Sequence, residues 1–118
     1  MKMAHLDDRF PENPKVEPLS DKAFRLHVMA LCHCSGNTTD GFVSATTVRG
    51  IAARLNSTPK RWLAELVTAG LWHAAPDGDG HWIHDYQKYN STAAEERAFR
   101  DKKREAGRKG ARARWQMP

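Results

Sequence analysis

The sequence predicts a mainly α-helical domain with one small β-hairpin, and three observations predict it. Apolar residues recur at helical spacing in three stretches between Asp21 and Ala69. Two short β-prone runs, 71–75 and 81–86, flank a turn-forming Pro76-Asp77-Gly78-Asp79-Gly80. Only Asn56-Ser57 separates the second helical stretch from the third, which is the spacing of a helix-turn-helix unit. The full order of helix, short strand, helix, helix and hairpin, a three-helix core with a β-hairpin wing, is the winged-helix order. The expected boundaries are 1–90 for the winged helix-turn-helix domain and 91–118 for a basic C-terminal tail, partly helical and then disordered. A chain of 118 residues is long enough for one such core and no second one.

The elements follow in order. Met3-Ala4-His5-Leu6 is read as a short strand that adds a third member to the wing sheet. Asp7 to Lys15 is a turn-rich linker with Phe10 as its anchor on the core. Ser20 stands where a helix cap should, with acid in the following turn, and the helix is expected to reach about Cys34, with Gly36 just past its end. Lys22, Arg25, Met29 and His33 mark its outer face; Phe24, His27, Val28, Ala30 and Leu31 face inward. After the 37–41 loop and an extended Phe42-Val43, Ser44 caps a second helix. There Val48, Ile51, Ala52 and Leu55 repeat at i, i+3, i+4, i+7, and Gly50 weakens the helix.

The third helix, Thr58–Ala69, organises the rest. Thr58 can cap it, Pro59 suits its first position and Gly70 supplies the left-handed residue that ends it. At about 100° per residue, Pro59, Trp62, Leu63, Leu66, Val67 and Ala69 gather on one side. Lys60, Arg61, Ala64, Glu65 and Thr68 fall on the other. Beyond the hairpin, Thr92 and Glu95 form a capping box for a last helix running toward Ala106. Gly107 and Gly110 are expected to end it, leaving Gly107 to Trp115 disordered until a partner arrives.

Charge is distributed unevenly. Net charge is +5, yet the first 94 residues hold ten Lys/Arg and ten Asp/Glu; from Glu95 onward there are nine against four. The basicity therefore sits in the tail, and it points to a polyanionic partner. Between Phe42 and Ala64 there are four cations, Arg49, Arg54, Lys60 and Arg61, and no acid. The expected partner is double-stranded DNA. Lys60, Arg61, Ala64, Glu65 and Thr68 would lie nearest the bases, and Ser57 and Thr58 would stand at the helix start. Arg49 and Arg54 would hold phosphates, and the wing near His81 would lie over the backbone. Glu65 can pair with Arg61 or accept from a cytosine amino group. Arg97, Arg100, Lys102, Lys103, Arg104, Arg108, Lys109, Arg112 and Arg114 would add phosphate contacts carrying no sequence information. Trp115 is alone in this tail and suits stacking on a base, docking on a protein, or plain exposure.

Other chemistry finds less support. Cys32-His33-Cys34 lies on a helix, where residues two apart point away from each other, and no second pair stands at zinc spacing. No metal or cofactor is expected, and both cysteines are expected as reduced thiols. His84-Asp85 is an acid–base pair on paper, but no nucleophile elbow or phosphate-cradling loop accompanies it. No catalytic residue and no enzyme activity are expected. Trp62, Trp72, Trp82 and Tyr86 are read as core between helix and hairpin. The sequence shows neither a membrane span nor a signal peptide, so a cytoplasmic protein is expected.

Several segments together carry a resemblance. They are Asp8-Arg9-Phe10-Pro11-Glu12-Asn13-Pro14-Lys15-Val16 with Leu19-Ser20, Ala23-Phe24-Arg25-Leu26, Asp40-Gly41-Phe42-Val43, Leu66 to Trp72, and Ile83-His84-Asp85-Tyr86. In that order, and with the basic Gly107 to Trp115 ending, they resemble small helix-turn-helix DNA-binding proteins of actinobacterial phages and prophages, described as replication-initiation or replisome-organiser-like. The resemblance spans nearly the whole chain and implies a winged helix, DNA as partner and a phage setting. Met3 departs from it, standing where similar chains often carry Trp. Three roles fit: a replication organiser that recruits replication or host protein through its tail, a transcriptional regulator of phage genes acting as a homodimer, and a protein-interaction module that blocks a host factor.

Overall fold

Ser20 and Ser44 set the first two helices through their hydroxyls. In the computed structural model, which describes residues 2–90 and 92–116 and side chains through Arg112, Ser20 Oγ accepts from the Ala23 N–H at 3.2 Å and opens α1 (Asp21–Asn37). Ser44 Oγ accepts from the Thr47 N–H at 3.1 Å and opens α2 (Ala45–Arg54). The third helix, α3 (Lys60–Thr68), starts without a side-chain cap, so the expected cap from Thr58 does not form. Pro59 replaces it: its backbone is already helical (φ −78°, ψ −16°) and has no N–H to satisfy. Gly70, at φ +79°, follows the end of α3. Helix α1 runs past Cys34 because Thr38, not Gly36, takes the left-handed conformation (φ 55°) and returns its N–H to the Cys34 carbonyl.

Three short strands, β1 (Phe42–Ser44), β2 (Trp72–Ala74) and β3 (Gly80–Ile83), form an antiparallel sheet in the order β1-β3-β2. Phe42 pairs with Trp82 across one side of β3, and His73 pairs with Trp82 across the other. The third strand is thus β1 and not the N-terminal segment, which has no strand at residues 3–6. A side chain holds that segment: the His5 N–H donates to Asn90 Oδ1 at 2.8 Å, where a strand would have needed a backbone carbonyl. Further on, Phe10–Glu12 forms a single 3-10 turn, and the Phe10 ring stacks on His27 at 5.3 Å.

The core lies between the three helices and the inner face of the sheet. Leu26, Cys34, Val43, Val48, Leu66 and Trp72 are its largest fully buried side chains. Trp82 is not among them. Strand parity decides this, because Trp72 and Ile83 are register partners facing inward and the residue before Ile83 must face out. Trp82 is 42% exposed and packs on Phe42 instead. Val67 is also exposed, at the margin of α3's buried face.

Gly80 shows how tightly β1 and β3 meet. A Cβ there would strike the Val43 carbonyl oxygen and stand 2.9 Å from both Phe42 Cζ and Ser44 Cα. Backbone cannot yield as a side-chain tip can, so Gly80→Ala is expected to cost about 1–3 kcal/mol by forcing β1 off the sheet. Urea denaturation followed by circular dichroism checks this.

After β3 come a short helix, α4 (Tyr86–Tyr89), and a long one, α5 (Ala93–Gln116). The Ala93 N–H donates to Asp40 Oδ1 at 2.6 Å, the Glu95 N–H to Thr92 Oγ1 at 3.1 Å, and Lys2 pairs with Glu96 at 2.7 Å. The expected break at Gly107 is absent: α5 passes through Gly107 and Gly110 to Gln116. Each glycine costs a helix about 1 kcal/mol against alanine, but alanine, arginine and lysine, all strong helix formers, fill most neighbouring positions. At about 1.5 Å per residue the helix is about 36 Å long. The molecule extends 68 Å along its long axis, against 30 and 27 Å across. Among the described residues no helix is long and apolar enough to cross a membrane.

Candidate nucleic-acid interface

Helices α2 and α3 are joined by a turn in which Asn56 takes φ 56°. The Ser57 N–H returns to the Ala52 carbonyl at 3.1 Å and the Asn56 N–H to the Ala53 carbonyl at 3.0 Å. Four cations are exposed on the two helices so joined. Arg49 is exposed and donates to Thr46 Oγ1 at 3.3 Å; Arg54 is exposed at the C-terminal turn of α2, where a cation suits the helix dipole. On α3, Lys60, Arg61, Ala64 and Thr68 are exposed, as is Thr58 before them, while Ser57 is half-buried. Among the described residues none of these four cations forms an ion pair.

Glu65 does not belong to this surface. Its Oε1 accepts the Ser20 N–H at 3.0 Å and its Oε2 accepts the Ser20 hydroxyl at 2.7 Å. The carboxylate therefore folds back onto the start of α1, where an acid is favoured by the free N–H groups and the helix dipole. It forms no ion pair with Arg61 among the described residues. The acid of α3 is thereby engaged away from Lys60 and Arg61.

The wing also differs from expectation. His81 lies within β3, half-buried, with its ring 6.0 Å from that of Trp72 and its Nδ1 buried without a partner. Burial lowers its pKa. It is therefore no wing-tip contact. The tip itself is Pro76 to Asp79, closed by Gly78 N–H to Ala75 carbonyl at 3.0 Å and Asp79 N–H to Asp77 Oδ1 at 3.1 Å. Two exposed acids there repel phosphate.

In the C-terminal region, Arg97, Arg100, Lys102, Lys103, Arg104, Arg108, Lys109 and Arg112 are all exposed on α5. Arg114 and Trp115 lie within the same helix, their side chains outside the described ones.

Two features were missing from the sequence reading. The Lys22 ammonium lies 5.3 Å from the Trp62 ring centroid, so α1 contributes a cation beside α3. His73 Nε2 and His84 Nδ1 stand 2.8 Å apart on the exposed face of the hairpin, with His84 Nε2 3.4 Å from Asp85 Oδ2. Strand parity alone carries a signal for the second; nothing in the sequence links Lys22 to Trp62, forty positions away.

Buried polar groups hold the frame behind the surface. Trp72 Nε1–H donates to His27 Nδ1 at 2.8 Å, and burial lowers the His27 pKa to about 4, so its ring is neutral. Burial, aided by nearby Cys34, Glu96 and Asp40, pushes the Tyr86 hydroxyl up to about 12. Burial likewise raises the Cys34 thiol, and both cysteines are free. Among the described residues no group of three or more His, Cys, Asp or Glu side chains is placed to hold a metal ion. A cavity of about 410 Å³ lies beneath the N-terminal segment, between Phe10, His27, Leu71 and Tyr86, and none of the α2 or α3 cations lines it. Comparison of the chain with protein families, with curated proteins and with solved structures finds no match.

Proposed function

We propose that this chain is a winged-helix protein that binds double-stranded DNA, with α3 as the helix that enters the major groove and phage or prophage replication as its setting. The observation that carries the reading is the set of exposed cations on the α2–turn–α3 unit. Arg49, Arg54, Lys60 and Arg61 are exposed and form no ion pair among the described residues, and the acid of α3, Glu65, is bound to Ser20. The element order α1-β1-α2-α3-β2-β3 and the sheet order β1-β3-β2 support the winged helix. In this reading Lys60, Arg61, Ala64 and Thr68 face the base edges, and Arg49 and Arg54 rest on phosphates. The replication setting rests on the sequence resemblance.

The test is selection of sheared DNA from the genome that encodes the protein, repeated with Lys60→Ala/Arg61→Ala. The intact protein is expected to retain one or a few sharp peaks at an origin. The double variant is expected to keep its fold and to bind those peaks at least about 30-fold more weakly, at about 1–3 kcal/mol per base-contacting side chain. Peaks at a promoter would replace replication by transcriptional control. Retention of no DNA would overturn the proposal, and equal binding by the variant would remove α3 from it.

A further inference from the structure

The cations of α5 are sorted by kind. At about 100° per residue, Arg97, Arg100, Arg104, Arg108 and Arg112 fall within an arc of about 120°. Lys102, Lys103 and Lys109 fall on the opposite arc, with Phe99 among them. Lys103 lies over the Phe99 ring at 5.7 Å, so the lysine side is partly engaged with the helix itself. Arg114 falls by position outside the arginine arc. Asp101 lies within that arc and forms no ion pair with it among the described residues. A tether that merely neutralises phosphate has no use for such sorting, because lysine and arginine carry equal charge. The guanidinium differs in its planar fork of donors, which matches the O6 and N7 acceptors of guanine as well as phosphate. The arginine stripe is about 22 Å long on a continuous helix that borders Lys2, Gly36 and Thr38 of the body at Phe99 and Arg100, and every residue from Arg97 to Arg112 is exposed. An exposed helix of this diameter fits the major groove of B-form DNA, whereas the deep, narrow major groove of duplex RNA excludes it.

We infer that α5 is a second groove-reading helix, which lays its arginine stripe in the major groove of double-stranded DNA and reads guanine, leaving the lysine side to phosphates. This rests on the DNA-binding reading above but assigns to α5 a role separate from that of α3.

The test keeps charge constant. In the full chain, Arg97, Arg100, Arg104, Arg108 and Arg112 are all replaced by lysine. Binding is then measured on a G·C-rich duplex, on the same duplex with 7-deazaguanine in place of guanine, and on a duplex RNA of that sequence. 7-Deazaguanine removes the N7 acceptor and leaves pairing and phosphates intact. Lysine is a helix former equal to arginine, so circular dichroism should be unchanged. With Lys60→Ala/Arg61→Ala in both proteins, so that α3 contributes no guanine contact, the arginine chain is expected to bind the guanine duplex at least about tenfold more tightly than the deaza duplex, and the lysine variant to lose most of that preference with its salt dependence kept. A preference undiminished in the lysine variant, or missing from the arginine chain, overturns the inference, as does tighter binding to the RNA. Lys60→Ala/Arg61→Ala tells the two readings apart. Loss of the genomic peaks with intact deaza discrimination supports both, and unchanged peaks with intact discrimination sink only the role of α3.

Discussion

Replacing Trp72 with alanine is expected to lower the melting temperature by roughly 20 °C and leave a barely folded protein. Trp72 is fully buried, and its indole N–H is the partner of His27 Nδ1. Truncating a core tryptophan costs about 3–5 kcal/mol. A domain of this size holds only about 5–15 kcal/mol in all, and about 4–8 °C accompanies each kcal/mol. The loss has two parts that a second variant separates. Trp72→Phe keeps most of the ring but leaves His27 Nδ1 without its donor inside the core, which costs about 1–3 kcal/mol. Urea titrations followed by far-ultraviolet circular dichroism measure both. An alanine variant within 1 kcal/mol of the parent would contradict the central place given to this side chain.

His27 should make the fold sensitive to mild acid. Its pKa is lowered from about 6.5 to about 4 by burial, so between these values the unfolded chain binds a proton that the folded chain does not. Stability therefore rises with pH through this window and falls as the solution is acidified from about pH 6.5 toward pH 4. The full effect is about 3 kcal/mol at about 1.4 kcal/mol per pH unit, and below about pH 4 this group adds no further loss. His81, lowered in the same direction by partial burial, acts with the same sign. His27→Gln removes the larger titration while keeping an acceptor for Trp72. Urea unfolding between pH 4 and 7 should show a steep slope in the parent and a much flatter one in the variant. Equal slopes would mean that His27 is charged in the folded core.

Local chemistry was the legible part of this fold. The caps at Ser20 and Ser44, the stop at Gly70 and the i, i+3, i+4, i+7 spacing from Val48 to Leu55 each involve neighbours a few positions apart, and each stands where the residues said. The hairpin turn around Pro76 to Gly80 was legible for the same reason. What failed depended on distant partners. The third strand is Phe42 to Ser44, paired with residues near Trp82, while His5 is held by Asn90, 85 positions away. Glu65 left the candidate surface because Ser20, 45 positions earlier, holds its carboxylate. Gly107 and Gly110 differ: each taken singly signals a break, although the whole window around them favours helix. Trp82 and His81 were within reach, since Trp72 facing inward fixes the parity of the strand beside it.

The two-point bond between Glu65 and Ser20 has a consequence beyond the charge it removes. A helix of nine residues packed by one face can roll about its own axis while keeping most of its apolar contacts. Glu65 lies near the middle of α3, and a fork gripping both the amide and the hydroxyl of one residue on another helix resists that roll. The side chains of Lys60, Arg61, Ala64 and Thr68 are thereby held at one azimuth before any partner arrives. In the proposed DNA-binding role, association would then spend little of its free energy on ordering the scaffold beneath them. Such a surface would discriminate by rejecting ligands that do not match its fixed angle, and the clamp responsible would touch none of them.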